Sequence, residues 1–275
     1  MYELTYHRPH TLAEAVALLR ACDNPKLLAG GQSLLPTLKQ RLASPSDLID
    51  VSRLPELAGI TVEDGRIEIG AASVYADVAD SPAVIRNAPS LAFLAGMVAD
   101  PQVRNRGTVG GSLSNNDPSA DFPAAALALD AIIHTTHRSL DAAEFFDGLF
   151  ATVLADDEIV TRISFGIPRR GAYEKLRHPA SRYAVCGAFV AQFRDHCRVA
   201  ITGAGSNGVF RLREIESLLQ GEWRVPSIDE IAVHEPLMSD LHCEEDYRAQ
   251  LVRVVTRRAI AKTPEPVLLQ RNSIN

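Results

Sequence analysis

Two segments concentrate residues able to hold a polar ligand: Ala29-Gly30-Gly31-Gln32-Ser33 and Gly107-Thr108-Val109-Gly110-Gly111-Ser112. Paired glycines let the main chain approach a ligand closely and leave N–H groups free to point at oxygen atoms. The first segment precedes a helical pattern, and a helix start favours an anion by about 0.3–1 kcal/mol. Gln32, Ser33, Thr108 and Ser112 add neutral hydrogen-bonding groups. Together these are the donors that a pyrophosphate with sugar hydroxyls requires. Either segment alone reads more readily as an ordinary tight turn; the occurrence of both in one α/β region shifts the balance towards a nucleotide.

The other chemistry-bearing residues are less organised. Gly203-Ala-Gly205-Ser-Asn-Gly208 fits a dinucleotide fingerprint, but no strand ending in an acidic residue follows about 20 residues on, so it reads as a strand-to-helix loop. The eight histidines make no metal motif; His134 and His137 would leave a strand on opposite faces. Cys22, Cys186, Cys197 and Cys243 are scattered, with no Cys-x-x-Cys pair to hold zinc or an iron–sulfur cluster, so redox chemistry must use a bound organic cofactor. The acidic pairs Asp156-Asp157 and Glu244-Glu245 read as solvated charges. Arg169, Arg170, Lys175, Arg177, His178 and Arg182 form a basic cluster that reads as a salt-bridging face or a docking surface.

The elements that must position these residues follow from periodicity. Thr11-Leu-Ala-Glu14 is a capping box opening a helix over 11–21. Lys26 to Ala29 reads as a strand entering the first glycine turn, Ser33 as the cap of a helix carrying Leu34, Leu35, Leu38 and Leu42, and Asp47 to Val51 as the next strand. Ile60 to Ile69 is a hairpin around Asp64-Gly65, with Ile60 opposite Ile69 and Val62 opposite Ile67. Helices are expected at 74–80 and 89–99, then a polar loop over 101–121, long enough to be functional. Asp121 should cap a helix with Pro123 in its first turn. Strands follow at Ile132-Ile133 and Glu158 to Phe165. Past Pro168-Arg-Arg-Gly171, Gly187 to Phe193 pairs with Cys197 to Gly203, and helices are expected at 212–220, 227–234 and 244–262.

Composition bounds the function. The chain has 275 residues, 28 Lys+Arg against 34 Asp+Glu, and 46% hydrophobic residues. It is long enough for two domains and needs no disulfide or metal to hold its core. Its mild acidity argues against nucleic acid as a partner. The longest apolar stretch, Phe122 to Ile133, is too short to span a bilayer and is interrupted by Asp130, and Met1 to His7 lacks a signal-peptide pattern. A soluble, cytoplasmic protein is expected.

Several segments, in order, resemble the FAD-binding medium subunits of molybdenum hydroxylases, of the carbon monoxide, nicotine and xanthine dehydrogenase type. They are Tyr6-His-Arg-Pro-His-Thr-Leu-Ala-Glu-Ala, Leu28-Ala-Gly-Gly-Gln-Ser-Leu-Leu-Pro36, Gln102-Val-Arg-Asn-Arg-Gly-Thr-Val-Gly-Gly-Ser-Leu, Asp117-Pro-Ser-Ala-Asp121, Glu158-Ile-Val, Tyr173-Glu-Lys-Leu-Arg177 and Arg182-Tyr-Ala184. The resemblance implies an α+β protein: a two-lobed PCMH-type FAD domain over 1–170 and a smaller flavoprotein C-terminal domain over 171–275. It places FAD against Leu28, Ala29, Gly30, Gly31, Gln32 and Ser33, and against Thr108, Val109, Gly110, Gly111 and Ser112. Asn115 and Asp121 match further FAD contacts, Val160 an apolar contact to the ring system, and Tyr183 an aromatic near the flavin, although a plain core tyrosine would look the same in sequence.

The implied function is electron transfer. FAD would receive electrons from the 2Fe–2S clusters of a small subunit, after hydroxylation on a large molybdenum-cofactor subunit, and release them to an external acceptor; the assembly would be a dimer of heterotrimers. No catalytic side chain and no metal ligand is implied on this chain. Gln32 stands where some relatives carry His or Asn. Gly96-Met-Val-Ala-Asp100 lacks an aromatic that some relatives stack on the flavin, which argues against NAD as acceptor. The scattered cysteines argue against an extra iron–sulfur cluster here. A stand-alone FAD-dependent oxidoreductase and a flavin-less scaffold subunit are the alternatives.

Overall fold

The structure, a computed structural model, describes residues 1–241 and 243–263; the expected C-terminal domain extends beyond them. The chain opens with β1 (Thr5–His7), α1 (Leu12–Ala21), β2 (Pro25–Leu28), α2 (Leu34–Lys39) and β3 (Asp47–Asp50). The three strands form a parallel sheet in the order β1-β3-β2. α1 starts as expected, with Thr11 Oγ1 accepting the Glu14 N–H at 3.2 Å, and it buries Ala15 and Leu19. α2 departs from expectation. Ser33 makes no side-chain cap, the helix ends at Lys39, and Leu42 is 74% exposed beyond Arg41, whose φ of 61° stops the helix.

The second lobe contains β4 (Ile60–Glu63), β5 (Arg66–Gly70), α3 (Tyr75–Asp80), α4 (Pro82–Asn87), α5 (Pro89–Met97), α6 (Pro101–Arg104), α7 (Val109–Asn115), α8 (Phe122–Ala128), β6 (Ile132–Thr135), β7 (Ser139–Asp141), α9 (Ala142–Phe145) and β8 (Val160–Gly166). Its antiparallel sheet runs β4-β5-β8-β6-β7. The first hairpin has the expected register, with Ile60 opposite Ile69 and Val62 opposite Ile67.

The expected loop over 101–121 is instead interrupted by two short helices. Asp100 Oδ1 accepts the Val103 N–H at 3.0 Å to start α6, and Thr108 Oγ1 accepts the Gly111 N–H at 3.2 Å to start α7. Glycine in a helix costs about 1 kcal/mol relative to alanine, which conceals α7 in the sequence. Packing overrides that preference, because a Cβ on Gly110 would lie 2.5 Å from the Ala71 Cβ.

The remainder is β9 (Arg170–Arg177), β10 (Ala184–Gln192), β11 (Cys197–Thr202), β12 (Phe210–Arg211), α10 (Arg213–Gly221) and α11 (Glu245–Lys262), with an antiparallel sheet in the order β12-β11-β10-β9. The expected pairing of 187–193 with 197–203 is present. The fingerprint-like segment Gly203 to Gly208 connects β11 to β12 and opens no crossover helix. Residues 227–234 form no helix. Glu230 turns back to accept the Ser227 N–H at 2.7 Å while pairing with Arg224, so the segment closes a single turn. One face of this sheet carries α10 and α11 on its own apolar core, which includes Val190, Ile201, Leu219 and Val252. From the other face, Tyr173, Phe189 and Ala200 join the core of the second lobe beside Phe122 and Leu91.

Candidate functional site

A cavity of about 710 Å³, in the range of small-molecule and cofactor sites, is lined by residues of the first sheet, of the second lobe and of the β9–β10 turn. Its walls come from the β2–α2 turn, Tyr75 of α3, the α6–α7 region, Asp117 to Phe122, the chain approaching β8, and the β9–β10 turn with Tyr183. Of the residues expected to touch a cofactor, Ala29, Gly30, Gly31, Gln32, Ser33, Thr108, Gly110, Gly111, Ser112, Asn115, Asp121, Val160 and Tyr183 line it. Leu28 and Val109 do not. Leu28 ends β2, and Val109, the first residue of α7, is fully buried.

The two glycine segments play different parts. Among the described residues, the N–H groups of Gly31, Gln32, Ser33 and Leu34 have no protein acceptor, although these residues all line the cavity. Gly31 has φ 71°, the left-handed region that glycine tolerates. In the second segment the N–H groups are consumed by the chain. Val109 donates to Ser73 O, Gly110 to Ala71 O at 2.9 Å, and Gly111 to Thr108 Oγ1. The expectation of free main-chain donors there is therefore corrected for these three residues. Its glycines allow backbone to pack on backbone: a Cβ on Gly30 would stand 2.2 Å from Arg106 O, so the two turns lie against each other. What this region offers the cavity is side chains, with Thr108 and Ser112 of the segment and Ser114 and Asn115 just beyond it on the wall.

Asp121 does not cap α8 as expected. Its carboxylate accepts from Lys175 Nζ at 2.9 Å on both oxygens and from the Tyr173 hydroxyl. Burial pushes the Asp121 carboxyl up, while Lys175 and Tyr173 hold it down. Burial likewise raises the Tyr173 phenol far above its ordinary range, with Asp121 adding to it. Lys175 is thus the buried partner of a cavity carboxylate rather than a member of a basic face. Arg170 also leaves that cluster, stacking over Trp223 at 4.3 Å.

The remaining carboxylates of the wall are largely committed to the chain. Asp100 caps α6, and Asp117 Oδ1 accepts the Ser119 N–H at 2.8 Å. Burial pushes the Glu158 carboxyl up, but hydrogen bonds from Arg138, Thr135 and the Ala155 N–H win and lower it to about 2. Tyr183 is 45% exposed, so it is no core tyrosine; burial of its hydroxyl end, with Asp117 and Asp121 nearby, raises its phenol. Val160 is buried with its side chain at the wall. Sequence reasoning missed Tyr75, stacked on Phe122 at 5.0 Å, and Phe150, 61% exposed on the cavity rim. Neither lies in a polar or glycine pattern that would have singled it out.

A cavity of this size, with unpaired main-chain N–H groups at one turn and neutral hydroxyl and amide side chains from the adjoining segment, fits a dinucleotide carrying a pyrophosphate. Residues 2–169 match the family described as the FAD binding domain in molybdopterin dehydrogenase. The chain belongs to that family. FAD is its cofactor.

Relatives of this FAD-binding family cover nearly the whole chain. The carbon monoxide dehydrogenase medium chain of Hydrogenophaga pseudoflava is 36% identical over 93% of this chain and 95% of its own. The nicotine 6-hydroxylase medium subunit of Paenarthrobacter nicotinovorans is 31% identical over 94% and 96%. Among solved structures, carbon monoxide dehydrogenase from Hydrogenophaga pseudoflava, in a form lacking the Mo-pyranopterin moiety of its cofactor, superposes with a TM-score of 0.87 at 36% identity, covering 94% of this chain and 96% of that one. Quinoline 2-oxidoreductase from Pseudomonas putida 86 superposes with a TM-score of 0.88 at 27% identity, covering 95% and 96%. The α+β architecture is that of these flavoprotein chains. Among the described residues, no helix is long and apolar enough to cross a membrane.

Proposed function

We propose that this chain is the electron-transfer flavoprotein subunit of a cytoplasmic molybdenum hydroxylase complex. It would work beside a small subunit carrying 2Fe–2S clusters and a large molybdenum-cofactor subunit, in a dimer of heterotrimers. The observation that carries this reading is one cavity joining both glycine segments to Val160 and Tyr183. A domain division at 170 is supported by the family match ending at residue 169.

FAD, when bound, would supply two-electron redox chemistry between the partner clusters and an external acceptor. The chain's own residues bind and orient. The N–H groups of Gly31 to Leu34, which have no protein acceptor, would hold phosphate oxygens, and Ser112 and Asn115 would offer hydrogen bonds to the same ligand. Leu28 and Val109 act from behind the wall by fixing the two turns. Val160 would present apolar surface to the ring system, Tyr183 would screen it from water, and Asp121, held by Lys175, would accept from a hydroxyl or amide. No side chain is required as a general acid or base.

The chain co-expressed with its partners should purify yellow and release FAD on denaturation. Gly111→Asp, which sets a negative charge beside the phosphates, should empty the site while the complex still assembles. A folded complex that never holds FAD, or undiminished FAD in Gly111→Asp, overturns the reading. Flavin reduction by an organic substrate added to the isolated chain would favour a stand-alone oxidoreductase instead.

A further inference from the structure

Away from the cavity, His7 at the end of β1, Cys22 at the C-cap of α1 and Asp47 at the start of β3 converge. One donor atom from each lies within 4.8 Å of the others. His7 Nε2 is 2.6 Å from Asp47 Oδ1, and Cys22 Sγ is 4.0 Å from His7 Nε2. We propose that these three side chains form a divalent-cation site, and that zinc is the ion it takes.

The donor set decides the ion. A thiolate with an imidazole nitrogen and one carboxylate oxygen suits a borderline-soft metal, whereas magnesium and calcium take oxygen ligands. With metal–ligand bonds of about 2.0–2.3 Å, neighbouring ligands of a tetrahedral ion stand roughly 3.3–3.8 Å apart. Cys22 is already near that spacing, and the His7–Asp47 pair opens by roughly 0.7 Å to reach it. The backbone under each ligand is fixed without an ion. β1 and β3 are paired with Thr5 opposite Asp47 and His7 opposite Ile49, and the Cys22 N–H closes α1 on Leu18 O.

Ser46 Oγ donates to the other Asp47 oxygen, Oδ2, at 2.6 Å, leaving Oδ1 to the site. The His7 and Asp47 side chains remain 25% and 14% exposed, so an ion has a path in and water can complete its coordination. On binding, the Cys22 thiol proton leaves to solvent and the thiolate–metal bond replaces the S–H bond. The His7 ring proton now shared with Asp47 leaves Nε2, the ring keeping a proton only on Nδ1, so that Nε2 can ligate. The ion would tie the end of α1 to the first sheet. None of the three residues lines the large cavity, so the site stands independently of the flavin.

The test uses the full chain without an affinity tag, stripped of metal by a chelator and titrated with cobalt(II), then with zinc against a chromogenic chelator. One equivalent of cobalt should produce a thiolate-to-cobalt charge-transfer band that zinc abolishes. Cys22→Ser should remove the band and weaken zinc binding by more than about tenfold. His7→Gln should weaken zinc binding similarly, and FAD content should be unchanged in both variants. Absence of the band in the parent chain overturns the proposal without reference to any variant. Retention of both band and affinity in Cys22→Ser, with the variant's thermal melt intact, overturns it too.

Discussion

Lys175 Nζ sits 2.9 Å from both carboxylate oxygens of Asp121, with the lysine side chain 0% and the aspartate side chain 4% exposed. The pair joins β9 to the residue preceding α8 and so couples the C-terminal sheet to a wall of the cavity. Removing one partner strands a charge in the interior. Lys175→Met should cost about 3–5 kcal/mol in urea unfolding, and Asp121→Asn/Lys175→Met together should cost less than the two single changes summed. Strict additivity would show that the two charges are not coupled.

Glu158 links acid stability to the cavity wall. Its carboxyl lies at about 2 in the folded chain against an ordinary 4.5. A carboxyl lowered on folding stabilises above its unfolded value, and that contribution is lost as pH falls from about 4.5 towards 2. Glu158→Gln should therefore lose roughly 1–2 kcal/mol near neutrality, discounted because Arg138 is 46% exposed. The difference from the parent chain should shrink as pH is lowered through that window. Thermal melts between pH 7 and 3 report it.

Backbone contact predicts unequal tolerance among glycines. A Cβ on Gly30 would strike Arg106 O, whereas one on Gly65 meets nothing within 4 Å, although Gly65 has φ 72°. Gly30→Ala should separate the two glycine turns and cost about 2–3 kcal/mol or more. Gly65→Ala should cost only about 1–2 kcal/mol, from backbone strain. Denaturation midpoints of the two variants should differ in that order, and FAD content should fall only in Gly30→Ala.

Tyr183 separates a cofactor contact from a packing role. Because it is half-exposed, Tyr183→Ala should change stability by no more than about 0.5 kcal/mol. The flavin absorption bands and the FAD dissociation constant should shift in the same variant. A large loss of stability with an unchanged spectrum would make Tyr183 a packing residue.

Much of the site was legible in local pattern. Gly30-Gly31 and Gly110-Gly111 stand out because few other residues permit such close main-chain contact, and Thr11-x-x-Glu14 and Asp64-Gly65 declare their helix start and turn within a few residues. The features missed depended on distant partners. α7 forms although two glycines disfavour it, since Ala71 leaves no room for a side chain. Asp121 resembles a helix cap in sequence, but Lys175 and Tyr173, more than 50 residues on, take its oxygens. Ser227 to His234 has helical spacing, yet Glu230 binds back to Ser227 and Arg224.

The sequence by itself determined the α+β elements, the resemblance to FAD-binding medium subunits and most of the residues that surround the cavity. Propensity, turn chemistry and motif order all act over short stretches of chain. Tertiary structure alone decided which main-chain N–H groups stay free, which carboxylates are neutralised, and that His7, Cys22 and Asp47 meet. Those outcomes rest on through-space distances of a few ångströms between residues tens of positions apart, and no local spacing encodes them.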